Sequence, residues 1–319
     1  MTTLPLRRFG ATGLQVTPLC IGCAPLGDMP ETFAYSVGEE RALATIRAAF
    51  QSPINFIDTA YSYGDGESER RIGIVLRELG GVPAGYVVAS KADRNLQTGD
   101  FSGAQMRRSV ERSLKLLGLD RIEMMYLHDP EHTTFEAVMA PGGVLDALQQ
   151  CRDEGLVGHL GVAGGPADLM LRYVETGAFE ALITHNRYTL LNRSADQLLT
   201  IAHQRGLGVA NAAPYGSGML AKGPSSYPRY AYQEAPERLL QRARAMEALC
   251  GEYGVRLAAA ALQFSMRDPR IHTTIIGVSR PERIDDTLDL ASETIPGDLW
   301  SRLDAIGWDA EDPEAARWS

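Results

Sequence analysis

Apolar residues along the chain follow two alternating spacings. Short runs of β-branched and other apolar residues, bounded by turn formers, read as strands at Leu19–Cys23, Asn55–Asp58, Tyr86–Lys91, Ile122–His128, His159–Val162, Ala181–His185, Gly208–Ala212 and Thr273–Ile276. Between them the spacing changes to three- and four-residue steps. That predicts helices over Glu39–Gln51, Glu67–Leu79, Gly103–Leu117, Gly143–Glu154, Ala167–Thr176, Ala195–Arg205, Glu237–Tyr253 with Ala258–Met266, and Pro281–Leu290. Ser102 stands where it can cap the helix through Met106, Val110 and Leu114, with Gly118 past its end, and Pro281 suits a first helical turn. Ahead of the first run, Leu6-Arg7-Arg8 and Leu14-Gln15-Val16 flank a turn at Gly13 and predict a hairpin.

Eight strands alternating with helices predict an α/β fold, a closed (β/α)8 TIM barrel with an N-terminal β-hairpin. A doubly wound open sheet is the competing arrangement, but it usually carries G-x-G-x-x-G after its first strand. Here the first strand leads into Cys23-Ala24-Pro25-Leu26-Gly27, and G-x-x-x-x-G-K-[ST] is missing as well. With no linker or low-complexity stretch, residues 1–319 are expected to form one domain, with Gly216–Pro236 as a long loop on the seventh strand.

Composition excludes several function classes. Among 319 residues, 40 acidic side chains against 31 basic ones give a net charge of −9, and no basic block offers a nucleic-acid surface. No apolar run approaches the roughly 18–20 residues of a membrane helix. Arg7-Arg8-Phe9 is not followed by an apolar export segment. Four cysteines do not make a disulfide framework, so a reducing cytoplasm is the expected location, with the protein a monomer or weak homo-oligomer. Cys20-x-x-Cys23 stands at the first strand without a second pair, and Pro130 keeps His128 and His132 from sharing a helical face; no metal is expected.

The chemistry is expected where barrel strands end. The second run ends in Asp58, the third in Lys91 and the fourth in His128, which puts a carboxylate, an amine and an imidazole on one rim. Tyr63 lies five residues past Asp58, close enough to fold back over them. A free phenol has a pKa near 10, and a lysine cation within about 4–6 Å favours phenolate. The set reads as a device for moving a proton on a carbonyl or alcohol oxygen: Asp58 holds Lys91, Lys91 lowers the pKa of Tyr63, His128 bonds the substrate oxygen and Tyr63 is the general acid or base.

At these residues the sequence resembles the aldo-keto reductase superfamily over nearly its whole length. Phe56-Ile57-Asp58-Thr59-Ala60-Tyr61-Ser62-Tyr63-Gly64, followed by Glu67-Ser68-Glu69, is similar to that family's Asp-Thr-Ala-x-x-Tyr-Gly signature. The resemblance implies a catalytic tetrad of Asp58, Tyr63, Lys91 and His128. It implies a barrel that binds NADP or NAD without a Rossmann domain. Lys91-Ala92-Asp93-Arg94, Leu117-Gly118-Leu119-Asp120-Arg121 and Leu127-His128-Asp129-Pro130-Glu131-His132 resemble the branch of aldose 1-dehydrogenases acting on L-fucose, D-arabinose and L-galactose, and of pyridoxal 4-dehydrogenases. Oxidation of an aldose at C1 is therefore the expected activity. The alternatives are pyridoxal oxidation, general aldehyde reduction, or a dinucleotide-binding redox-sensing subunit.

The expected coenzyme site departs from the family pattern. Ala163-Gly164-Gly165 replaces the usual Ser-Asn, His185 stands where a glutamine is common, Ala212 replaces a stacking aromatic, and the family's lysine is missing at Gly277. His185 or Asn186 is expected to serve the nicotinamide amide. Gly216, Ser217 and Gly218 are expected near the pyrophosphate, since Tyr215-Gly216-Ser217-Gly218 does not satisfy the serine-elbow pattern. Gly277, Ser279, Arg280 and Arg283 open the last helix, where backbone amides and guanidinium groups suit phosphate. Substrate is expected to meet Met29, Phe33, Tyr61 and His132, with Tyr227 and Tyr230 nearby, and Trp308 or Trp318 either at the barrel mouth or packed on the surface.

Overall fold

In the computed structural model, which describes residues 4–315, eight parallel strands close into a barrel. They are Leu19–Gly22, Phe56–Asp58, Val87–Ala92, Ile122–His128, Val157–Ala163, Ala181–His185, Gly208–Ala212 and Thr273–Gly277, neighbours in chain order, the eighth closing on the first with Thr274 beside Leu19. This is the (β/α)8 barrel expected from the alternation. Trp318 lies outside the described residues.

Strand parity places the polar ends. Successive side chains on a strand point to opposite faces. Phe56, Ala89, Met124 and Tyr126 belong to the core inside the barrel, whereas Ile57, Val88, Met125 and Leu127 belong to the core under the helices. Counting on by two from each inner residue reaches Asp58, Lys91 and His128. The three groups therefore turn inward at the same end. Cys20 and Cys23 fall into opposite cores, Cys20 inside the barrel and Cys23 under the helices, so the pair shares no face.

The outer helices match the predicted ones to within two residues at nearly every end. Ser102 caps Gly103–Leu117 by accepting from the Gln105 N–H at 3.2 Å, and Gly118 ends it in the left-handed conformation. The last predicted helix begins one residue later than expected, at Glu282, with Pro281 as its cap. At the N-terminal end of the barrel, Arg7–Arg8 pairs with Gln15–Val16 as a hairpin. Phe9, fully buried, closes that end against Gly208, where a Cβ would come within 2.6 Å of its ring. The opposite end stays open.

The segment expected as an open loop, Gly216–Pro236, is more structured. It holds a short helix, Met219–Lys222, and a small hairpin pairing Arg229–Tyr230 with Gln233–Glu234. Short helices at Pro30–Phe33 and Phe135–Met139 and a further helix at Gly297–Ile306 were also not foreseen. No described helix is long and apolar enough to cross a membrane.

Candidate active site

Lys91 is 2 % exposed and its ammonium is surrounded by acceptors. It donates to both Asp58 oxygens at 2.8 and 2.7 Å, to the Thr59 carbonyl at 2.9 Å and to the Tyr63 hydroxyl oxygen at 3.1 Å. Burying such a cation unpaired would be costly, and Asp58 removes that cost. Because the Tyr63 oxygen accepts from Lys91, its own O–H is left to point elsewhere.

Tyr63 is held by backbone packing. The Gly64 φ of +69° is in the left-handed region, and a Cβ there would lie 1.8 Å from the Gly27 carbonyl oxygen. A Cβ on Gly27 would lie 2.4 Å from the Tyr63 carbonyl oxygen. Only glycine at both positions lets the loop after the first strand lie against the tyrosine loop.

The Tyr63 proton behaves differently from the sequence expectation. Burial is the largest influence and pushes the phenol above its ordinary range; Lys91 pulls down, and Asp58 pushes up again. The net direction is up, not down. Asp58 neutralises much of the field that Lys91 would otherwise exert on the phenol. Lys91 shows the same balance in reverse: burial pulls its ammonium down, but Asp58 and Tyr63 outweigh it and leave it above its usual value.

His128 presents its ring edge to Tyr63, with centroids 6.0 Å apart and planes at 86°. Its Nδ1 lies 2.6 Å from Oδ1 of Asp93, a buried carboxylate that the sequence argument did not single out. Asp129, the next residue, approaches Nε2 at 3.6 Å.

These groups line a cavity of about 850 Å³ at the open end of the barrel, in the upper part of the roughly 300–1,000 Å³ range of small-molecule sites. Its charge is divided. Lys222, Arg229 and Arg283 come from the segments that follow the seventh and eighth strands; Asp129, His185 and Glu314 come from just past the fourth strand, the end of the sixth and the tail. Nine described non-glycine residues have positive φ, and every one lies beyond the C-terminal end of a barrel strand. Backbone strain of this kind gathers at functional sites.

Asp58, Tyr63, Lys91, His128, His185, Ser217, Gly218, Gly277, Arg283, Met29, Phe33 and Tyr227 all line the cavity. Other expected residues do not. Tyr61 stacks under the Arg112 guanidinium, 3.0 Å from its centroid, and His132 is exposed on the short turn Pro130–His132. Gly216 lies under the Tyr230 ring, and Tyr230 itself is buried, donating to the Asn186 carbonyl at 2.7 Å. Ser279 stands beside the Tyr35 hydroxyl, and Arg280 sits beside Glu282 and Asp286 at 3.7 Å from each. Trp308 packs under Arg193 at 3.6 Å, away from the mouth. Sequence reasoning missed Asp93, Asp129, Glu314, Arg229 and Tyr232; only Asp93 and Asp129 stood inside motifs already noticed.

A family model described as "Aldo/keto reductase family" matches residues 18–307. The chain belongs to the aldo/keto reductase family. L-galactose dehydrogenase from Arabidopsis thaliana is 30 % identical over 98 % of this chain and 92 % of its own length. D-threo-aldose 1-dehydrogenase from a Pseudomonas species is also 30 % identical, over 92 % of this chain and 94 % of its own. Pyridoxal 4-dehydrogenase from Microbacterium luteolum is 28 % identical over 94 % and 97 %. Among solved structures, an aldo-keto reductase from Bacillus halodurans in its holo form superposes with a TM-score of 0.79 at 20 % identity, covering 98 % of this chain and 99 % of that one, and shows the same fold.

Aldo/keto reductases work with NADPH or NADH. The residues here fit such a group. Arg229 Nε, on the cavity wall, is a buried donor with no partner, whereas Asn186 Oδ1 accepts from Ser217 Oγ at 3.0 Å. Buried donors are rarely left unsatisfied, and phosphate and carboxamide oxygens are the acceptors a dinucleotide would bring. Asn186 itself lies behind Ser217 rather than on the cavity wall. Lys222 lies over the Tyr227 ring at 4.1 Å, and partial burial, with Arg283 adding to it, pulls its ammonium below its usual value.

Proposed function

We propose that this aldo/keto reductase is an NAD(P)-dependent aldose 1-dehydrogenase, oxidising a sugar such as L-fucose, D-arabinose or L-galactose at C1 to the lactone. The run of contacts from Asp58 through Lys91 to the Tyr63 hydroxyl carries this reading. It leaves the phenolic O–H for the cavity, where Lys222, Arg229 and Arg283 would meet a dinucleotide. The bound coenzyme supplies the hydride acceptor, or the donor in reverse, at C4 of its nicotinamide. Tyr63 takes the proton from the C1 hydroxyl during oxidation and returns it to the carbonyl oxygen during reduction. Lys91 steadies the phenolate form, Asp58 keeps Lys91 charged and in place, and His128 bonds the same substrate oxygen.

Three features support a sugar. Relatives named for L-galactose and D-threo-aldose share nearly the full length. Asp129 and His185 give hydroxyl groups acceptors and donors on one wall, while Phe33 and Tyr232, 6.4 Å apart, offer ring faces to carbons. Pyridoxal is the second reading; the Microbacterium relative and the same pair of rings favour it. Lys222 and Arg283 would hold coenzyme phosphate, and Arg283 as a partner for a 2′-phosphate makes NADP the proposed coenzyme and NAD the alternative. The four cysteines are unpaired thiols, which suits the cytoplasm.

Absorbance at 340 nm, followed with NADP+ and then NAD+ across L-fucose, D-arabinose, L-galactose and pyridoxal, tests all of this. A rise with an aldose is expected. A rise with pyridoxal alone would install the second reading, and no rise with any of them would remove both. Arg283→Ala should raise KM for NADP+ more than for NAD+; equal effects on the two would remove the 2′-phosphate contact.

A further inference from the structure

Asp93 lies one residue past the third barrel strand, Val87–Ala92, and is 1 % exposed. Every polar group it has is engaged. Oδ1 meets His128 Nδ1 at 2.6 Å, and Oδ2 accepts from the Ser62 N–H at 2.9 Å. Its own N–H donates to Ser109 Oγ at 2.9 Å, and its carbonyl accepts from Gln105 Nε2 at 3.1 Å. Two bonds hold the carboxylate and two hold its backbone, from three segments, and together they leave the carboxylate no freedom to turn. An ionised carboxylate only accepts, so His128 Nδ1 must carry the hydrogen between them. Nε2 is then the nitrogen left for the substrate, and it can donate only when the ring is charged.

The surroundings of the ring favour that form. Asp93 and Asp129 flank its two nitrogens, Ser62 Oγ lies 3.3 Å from Nδ1, and Lys91 and the Tyr63 ring stand on the inner side. Burial weighs most and pulls the imidazole down, but Asp129 and Asp93 outweigh it together with the opposing field of Lys91, leaving His128 above its ordinary value.

We propose that Asp93 is a positioning residue for the reaction: by fixing the hydrogen on Nδ1 of His128, it makes Nε2 of the charged ring the donor to the substrate oxygen beside Tyr63. A hydrogen bond from a charged donor is roughly twice as strong as a neutral one and suits an oxygen that gains negative charge as its proton moves to Tyr63. The proposal rests on the assignment of Tyr63 and His128 to the substrate oxygen, but not on which substrate is used.

The test is a 15N titration of the histidine rings in the wild type and in Asp93→Asn, with kinetics on the same samples. In the wild type the neutral His128 ring should carry its hydrogen on Nδ1. In Asp93→Asn the titration midpoint should fall by about one pH unit or more, kcat should drop by up to about 100-fold, as for a catalytic group displaced by about 1 Å, and coenzyme Kd should stay unchanged. In a His128→Ala background, Asp93→Asn should change kcat by less than about twofold, since coupled residues do not add. An unchanged midpoint, or an equal loss of kcat with and without His128, would overturn the proposal. Should Asp93→Asn fail to fold, a wild-type neutral ring protonated on Nε2 overturns it equally. The titration needs no substrate: a silent aldose panel would remove the sugar assignment and still leave Asp93 decided.

Discussion

Tyr63 sits between two opposed influences, and the direction of the outcome sets the pH behaviour. With burial holding the phenol above its usual range, the hydroxyl stays protonated through neutral pH and is ready to donate. Oxidation needs the other form, whose fraction rises tenfold with each pH unit below the phenol's pKa. While His128 stays charged, log kcat/KM for oxidation should therefore climb with a slope near one as pH rises and reduction should stay flat; above the His128 midpoint each profile should lose one unit of slope. A flat oxidation profile below that midpoint, measured with any accepted substrate, would show that Tyr63 does not carry the proton. Tyr63→Phe should lower kcat by roughly 10²–10⁴ with coenzyme affinity, read by fluorescence quenching, unchanged; full activity in that variant would sink the assignment. Asp58, Lys91 and His128 could be found from sequence because strand ends and the two-residue alternation settle where they point. Asp93 could not, since its value lies in a partner 35 residues away. The direction of the Tyr63 shift was misjudged for a related reason: the field of Lys91 was weighed without the burial that accompanies it.

Helix Glu67–Leu79 carries the behaviour that belongs to single elements. Its Glu69 is fully buried; Ser90 Oγ donates to Oε1 at 2.5 Å, and Oε2 has no partner. Burial raises this carboxyl to about 7, against the pull of Ser90, Ser113 and Arg112. Its unfolded value lies near 4.5, so between about pH 4.5 and 7 the unfolded chain sheds a proton that the folded chain keeps. Stability should fall by about 3 kcal/mol across that window and level off above it. Glu69→Gln should remove most of that slope in urea unfolding measured from pH 4.5 to 8, and an unaltered slope would place the titrating group elsewhere. The glycine pair Gly27 and Gly64 works at the same scale: Gly27→Ala should displace the tyrosine loop and cost activity more than stability, seen as a fall in kcat with little change in Tm. Sequence periodicity located the barrel strands and outer helices because each buries one face over several turns or residues. It missed the hairpin within Gly216–Pro236, whose turn residues Ala231 and Tyr232 have φ of +47° and +63° without the Asn-Gly or Asp-Gly signature that normally marks such turns. Helix Gly297–Ile306 did carry signals, Pro296 before it and Gly307 after it, which went unused.

Across the whole molecule, the tail is tied to the barrel through one cation. Arg187, fully buried beyond the sixth strand, grips Asp312 with two bonds of 2.9 and 2.7 Å and meets Glu314 at 2.9 Å; Glu314 in turn lies 3.5 Å from His185 on the cavity wall. Asn192 adds a 2.8 Å bond to the Glu311 carbonyl. No local pattern could disclose this, because the partners stand more than a hundred residues apart. Burial alone would raise the Glu314 carboxyl; His185 and Arg187 outweigh it and hold it at about 2. Its contribution to stability is therefore complete above about pH 4.5 and is lost as pH falls toward 2, an effect of about 3 kcal/mol. Arg187→Met removes the cation but keeps much of the volume, leaving a 3 % exposed carboxylate without its main partner. Breaking a buried pair from one side typically costs about 3–5 kcal/mol, and the chain can avoid part of that cost by releasing the tail to water. Release would take Glu314 off the cavity wall. Arg187→Met should thus lower stability at pH 7 in urea unfolding, and raise KM for a polyhydroxylated substrate several-fold while leaving coenzyme Kd as it was. Loss of stability with an unchanged KM would confine the clamp to holding the fold, and would separate Glu314 from substrate recognition.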